Sequence, residues 1–282
     1  TAAYTTAIGF GALSRGTGTR NVAVGTDTLR GNPYTQGQET GNSTGFNNTA
    51  IGYNAGLSYN SASYNTLVGA YAGNRIDNGE STVAIGDEAG RYATGSYNTF
   101  VGADAGKGGT TSAPFSSAQY NTAIGYEALK GFTSGTGRNV AIGYQAAVAS
   151  TTGRDNVIIG YEAGHDITST VEAVIIGSFA GSKLNSGDAD GTVVIGMNAL
   201  ATATDAQRNV AIGYEAANKL KTDDNVAIGF RSMRYIGDTA GSSHGENNIA
   251  IGTYSLGGGD SSTVANNTGY KNIAIGHQAL GN

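Results

Sequence analysis

Asn121 to Leu129 reads NTAIGYEAL. With small changes the same nine-residue phrase occurs fifteen times, as NTAIGYNAG from Asn48, NVAIGYQAA from Asn139, NVIIGYEAG from Asn156, NVAIGYEAA from Asn209 and NIAIGHQAL from Asn272. The glycine at its fifth position recurs every 16 to 19 residues, with four longer steps of 23 to 27. A unit this short cannot bury its own apolar face, so a period near seventeen predicts a solenoid whose coils stack on one another. The reading is one all-β repeat domain over 1–282, about fifteen coils, with inserted loops near 30–47, 107–120, 234–247 and 257–271.

Composition supports an ordered array and excludes several classes. The 46 glycines lack the every-third spacing of collagen, and 39% hydrophobic residues are too many for a disordered linker. A net charge of −5 with no basic run leaves no stripe for a nucleic-acid backbone. There is no cysteine, hence no disulfide frame. No apolar run is long enough for a membrane-spanning helix.

Within the phrase, counted from its asparagine, position two is Thr, Val or Ile and position four is always Ile or Val. Side chains alternate along a strand and β-branched residues favour it, so these two share a face. That face is expected inside the coil, with Ile51, Ile124, Ile142, Ile159 and Ile212 as core. Position three, alanine in ten copies, then points outward, and an apolar outward face needs a cover. Ala50, Leu67, Phe100, Ala123, Ala141, Ile158, Ile175, Val194 and Ala211 are therefore expected at an interface between copies of the chain. Position one is asparagine in eleven copies. Asn48, Asn65, Asn98, Asn121, Asn139, Asn156, Asn209 and Asn225 are expected to form an amide ladder along the stack. A second short strand is expected after the glycine, carrying the small residue of position eight inward.

The phrase N-[TV]-A-I-G at Asn48–Gly52, Asn121–Gly125, Asn139–Gly143 and Asn209–Gly213 resembles the YadA-type head repeat of trimeric autotransporter adhesins. The fuller NTAIGYNAG and NTAIGYEAL forms are similar to repeats of phage tail fibres and related bacterial surface fibres. The resemblance spans Thr5 to Leu280, although the period here is longer than in the adhesins. It implies a left-handed parallel β-roll, a homotrimer and an extracellular place on a cell-surface or virion tail fibre. With no paired ligand spacing, phosphate-loop pattern or converging carboxylates, no enzymatic activity, cofactor or metal is expected, and the inserted loops are expected to carry any contact with a host receptor or glycan. The phrase begins by Thr5 and ends at Leu280, so the chain is expected either to continue into further domains or to stack end to end as a filament.

Other signals are weaker. His165, His244 and His277 lack paired ligand spacing. Glu88, Asp104, Glu127, Glu162 and Glu215 recur two residues after the glycine, as a cation-binding row or a solvated edge. Aromatics follow the glycine at Phe10, Tyr53, Tyr126, Tyr144, Tyr161, Tyr214 and Phe230. The competing functions are an ice-binding solenoid, which needs a regular threonine row, and a polysaccharide-processing β-helix, which needs converging carboxylates.

Overall fold

The computed structural model describes residues 4–31, 43–109, 116–133, 137–184, 189–204, 206–220, 222–235, 245–257 and 270–281. Most of the expected loops near 30–47, 234–247 and 257–271, and the middle of the one near 107–120, lie outside them. The chain is an all-β solenoid with fifteen parallel three-residue strands in sequence order, in two compact units, Thr1–Ile142 and Gly143–Asn282. The first unit holds β1 (Thr6–Ile8), β2 (Val22–Val24), β3 (Thr49–Ile51), β4 (Thr66–Val68), β5 (Val83–Ile85), β6 (Thr99–Val101), β7 (Thr122–Ile124) and β8 (Val140–Ile142). The second holds β9 (Val157–Ile159), β10 (Val174–Ile176), β11 (Val193–Ile195), β12 (Val210–Ile212), β13 (Val226–Ile228), β14 (Ile249–Ile251) and β15 (Ile273–Ile275). No helix among the described residues is long and apolar enough to cross a membrane.

Each strand is positions two to four of one phrase, and pairing is in register within each unit. Thr49 lies beside Thr66, Ala50 beside Leu67 and Ile51 beside Val68; the second unit repeats this at Val210, Ala211 and Ile212 beside Val226, Ala227 and Ile228. Every position of the phrase therefore stacks on its own kind one coil away. The amides make that stacking cohesive. Asn48 donates from its backbone nitrogen and its Nδ2 to Asn21 Oδ1, at 2.9 and 3.2 Å. Asn65 does the same to Asn48, Asn121 to Asn98 and Asn248 to Asn225. Where alanine stands at position one the chain of side-chain amides stops: Ala173 donates its backbone N–H to Asn156 Oδ1 at 3.0 Å but has no amide to pass on.

The face assignment made from the alternation is reversed in the structure. Position three points into the coil: Ala50, Leu67, Phe100, Ala123, Ala141, Ile175, Val194 and Ala211 are wholly buried within the chain itself, and Ile158 nearly so. These residues are core and not an interface between copies. Ile51 and Ile124, expected in the core, are 42% and 38% exposed, and Ile142, Ile159 and Ile212 are half-buried on the outer side. The cause is the width of the coil. Positions eight and nine also point inward, as Ala128 and Leu129 do, so the strand can contribute only one inward side chain opposite them.

In several coils, size at position three is exchanged against size at position nine. Leu67, Phe100, Ile158 and Ile175 pair with glycine at Gly73, Gly106, Gly164 and Gly181, whereas Ala23, Ala123 and Ala250 pair with Leu29, Leu129 and Leu256. A Cβ on Gly73 would press on the Leu67 side chain, and one on Gly106 would enter the Phe100 ring. The far end of the coil is filled by Tyr59, Ile76, Phe132, Ile167, Leu184 and Leu220. They stand seven residues after the phrase's glycine, a position that the phrase's own repeat does not mark.

The expected second strand is not formed. After the glycine the chain turns with position seven at positive φ, as at Glu88 (+55°) and Glu127 (+55°), and position nine likewise, as at Leu129 (+52°). Such residues cost about 1–2 kcal/mol each outside glycine. Coil-to-coil hydrogen bonds hold them: Glu127 N donates to Ala103 O, and Leu29 N (φ +47°) donates to Ala55 O. Position eight still points inward, as expected.

Candidate functional site

The strand face turned away from the coil is the most distinctive surface. Positions two and four supply two columns of Thr, Val and Ile, and no charged residue occurs in any of the fifteen strands. In-register pairing repeats each column at about 4.8 Å. Position two carries Thr6, Thr49, Thr66, Thr99 and Thr122 among the first eight strands, but only Val or Ile from β9 onward. A continuous hydroxyl row is therefore absent from the second unit's face.

Aromatic side chains edge this face on both sides. Before the strand, Tyr97 and Tyr120 stack with centroids 5.1 Å apart, and Phe46 meets Tyr64 edge-on. After the glycine, Tyr144 and Tyr161 stack at 5.0 Å, Tyr53 meets Tyr71 edge-on, and Tyr214 stacks on Phe230 at 5.3 Å. Stacked rings cover one another's faces and offer mainly their edges outward, a poor platform for sugar rings. The rows instead bind coil to coil, each contact contributing about 0.5–1.5 kcal/mol beyond area burial.

The acidic row of position seven is met by cations three residues further on. Asp27 pairs with Arg30 at 3.1 Å and Glu88 with Arg91. Lys107 bridges Glu88 and Asp104, and Lys130 bridges Asp104 at 3.3 Å and Glu127 at 2.5 Å. Alternating charges thus run over β5 to β7. Partial burial pushes the Asp104 carboxyl up, but Lys107 and Lys130 outweigh it and hold the group below the usual carboxylate range. Burial also works against the Lys107 ammonium, yet Glu88 and Asp104 hold it above its ordinary value. Glu215 is held by Arg231 at 2.8 Å and Arg234 at 2.9 Å. The Tyr161 phenol hydrogen-bonds to the Glu162 carboxylate. An ion-paired edge, rather than a bare carboxylate row, is what these residues make.

The histidines are not gathered. His165 Nδ1 is 2.5 Å from Asp166, which also pairs with Lys183 at 2.9 Å. His277 lies edge-on to Tyr254, and His244 is outside the described residues. Inside the first unit, the fully buried Tyr59 phenol is pushed up to about 12 by burial. Among the described residues its oxygen has no hydrogen-bond partner. No family model matches this chain, and no characterised protein matches it closely enough to count as a relative.

Proposed function

We propose that the chain is a structural segment of an extracellular fibre in which copies of the chain associate through the outward strand face. One observation carries this reading: fifteen consecutive strands present uncharged Thr, Val and Ile at both outward positions, and Ile51, Ile85, Ile124 and Ile251 are exposed. An apolar surface repeated coil after coil within each unit marks an association site. A second copy is the fitting occupant, because a face that repeats along the coils is matched in period by the same face on another copy and offers no charge to recognise a different partner. The resemblance to trimeric adhesin heads and tail-fibre repeats supports a homotrimer as that assembly. In this reading the stacked coils supply stiffness, and the loops near 30–47, 107–120, 234–247 and 257–271 supply contacts with a host receptor or glycan.

Light scattering on the purified chain tests the association. A mass of three 28.4-kDa chains that persists on dilution supports it, and a single-chain mass at all concentrations contradicts it. The ice-binding alternative loses support because the second unit carries no threonine at position two. The polysaccharide-processing alternative loses support because Glu88, Asp104, Glu127 and Glu215 are tied to lysine and arginine.

A further inference from the structure

The chain has 16 tyrosines but no cysteine and no tryptophan, so its phenols are the side chains on which oxidative bond formation can fall. Among the described ring contacts, geometry singles out two pairs. Tyr144 and Tyr161 hold the sixth position of successive phrases, with centroids 5.0 Å apart and planes only 8° from parallel. Tyr97 and Tyr120 each precede the phrase's asparagine, 5.1 Å apart and 4° from parallel. All four are 40% to 56% exposed, open to a dissolved oxidant. Their spacing is the coil-to-coil spacing, so the fold holds each pair together continuously. Tyr161 also has a proton acceptor in place, the Glu162 carboxylate. Other described neighbours are less suited: Tyr53 and Tyr71 lie at 88° to each other, and Tyr214 faces a phenylalanine, which cannot couple in this way.

We propose that Tyr144–Tyr161 and Tyr97–Tyr120 are sites of oxidative dityrosine cross-linking, which joins neighbouring coils covalently when a peroxidase and hydrogen peroxide act on the chain. Each phenol gives up one electron and its Oη proton, leaving two neutral tyrosyl radicals. These combine through a new bond between ring carbons ortho to the oxygens. The hydrogen on each of those carbons moves to its oxygen as the rings regain aromaticity. In sum, two electrons and two protons leave the protein and reduce one hydrogen peroxide to two waters. The bond does for a cysteine-free solenoid what a disulfide does elsewhere, closing a loop that the unfolded chain must then carry. It does not depend on how copies of the chain associate.

The test treats the dilute full-length chain with horseradish peroxidase and hydrogen peroxide, then maps cross-linked peptides by mass spectrometry. The expected product is a single chain lighter by two hydrogens per bond, with Tyr144 joined to Tyr161 and Tyr97 joined to Tyr120. Holding the rings in place should raise the yield about tenfold or more over the same chain unfolded in urea. Tyr161→Phe should remove the first bond and leave the second, and Tyr120→Phe the reverse; circular dichroism before oxidation confirms that both variants are folded. No dityrosine in the folded chain, bonds scattered over other tyrosines, bonds only between chains, or equal yield in urea would each overturn the proposal.

Discussion

At Gly102 the backbone sits at φ +131°, and a Cβ placed there would lie 2.6 Å from the carbonyl oxygen of Gly125 in the next coil. The same meeting recurs along each unit's glycine column, and it gives the phrase's fixed fifth position a cause: the chain must adopt a conformation closed to side chains while backbones stack without a gap. Gly102→Ala should therefore cost about 3 kcal/mol or more in urea unfolding, from strain and overpacking together. A loss below about 1 kcal/mol, the ordinary scale of a point substitution, would mean that the column relaxes easily. Tyr59 is the opposite case, a residue the fold buries at a cost. Its hydroxyl has no partner among the described residues, and an unpaired buried donor costs about 1–3 kcal/mol. Tyr59→Phe keeps the ring and removes the donor, so the urea midpoint should rise. A fall would show that the hydroxyl is satisfied in solution.

Within one coil, the strand and its following turn share a fixed interior volume. Phe100 fills it from the strand and leaves room only for glycine at Gly106; at the next coil Ala123 cedes the space to Leu129. Phe100→Ala alone should cost about 3–5 kcal/mol as a cavity. Gly106→Leu alone should also destabilise, by collision with the ring, although Leu129 shows that leucine accepts the required φ of about +52°. Combined, the two should recover about 1–2 kcal/mol relative to their sum, the coupling expected of side chains in contact. This exchange of size is present in the sequence at several coils, such as Leu67 with Gly73 and Ala123 with Leu129, and points to position three as the inward face. β-Branching at positions two and four suggested the wrong one, because alternation shows which residues share a face but not which face is inside. The charged column across β5 to β7 makes a further prediction. Asp104 is held below its ordinary value, so its contribution is complete above about pH 4 and is lost as pH falls through its depressed folded value. Lys107 and Lys130 are held above theirs, so their contributions are complete below about pH 10 and are lost as pH rises through the raised values. Urea midpoints measured against pH should decline at both ends, and Asp104→Asn should flatten the acid side. An unchanged acid side in that variant would remove Asp104 from the account.

For the molecule as a whole, the repeat, its period and the all-β solenoid were legible in the sequence, because fifteen copies of one phrase leave little else to build. The amide positions could be placed as well, since Asn48, Asn65 and their equivalents hold one place in every phrase. The turn geometry was not legible: Glu127 and Leu129 adopt left-handed conformations that their side chains disfavour, and only the stacked coil holds them there. The surface was misread for the reason that the core was, and correcting one corrects the other. An association face at positions two and four places opposite demands on two adjacent residues. Ala141 is inside, so Ala141→Glu buries an unpaired charge and should unfold its part of the solenoid. Ile142 is on the outer face, so Ile142→Glu should leave the fold intact and break only the contact between copies. Sedimentation equilibrium run beside circular dichroism on these two variants and the unaltered chain tests this most directly. The account predicts a folded trimer for the unaltered chain, a folded monomer for Ile142→Glu and lost β signal for Ala141→Glu. An Ile142→Glu chain that keeps the mass of the unaltered protein, or an Ala141→Glu chain that stays fully folded, would contradict it.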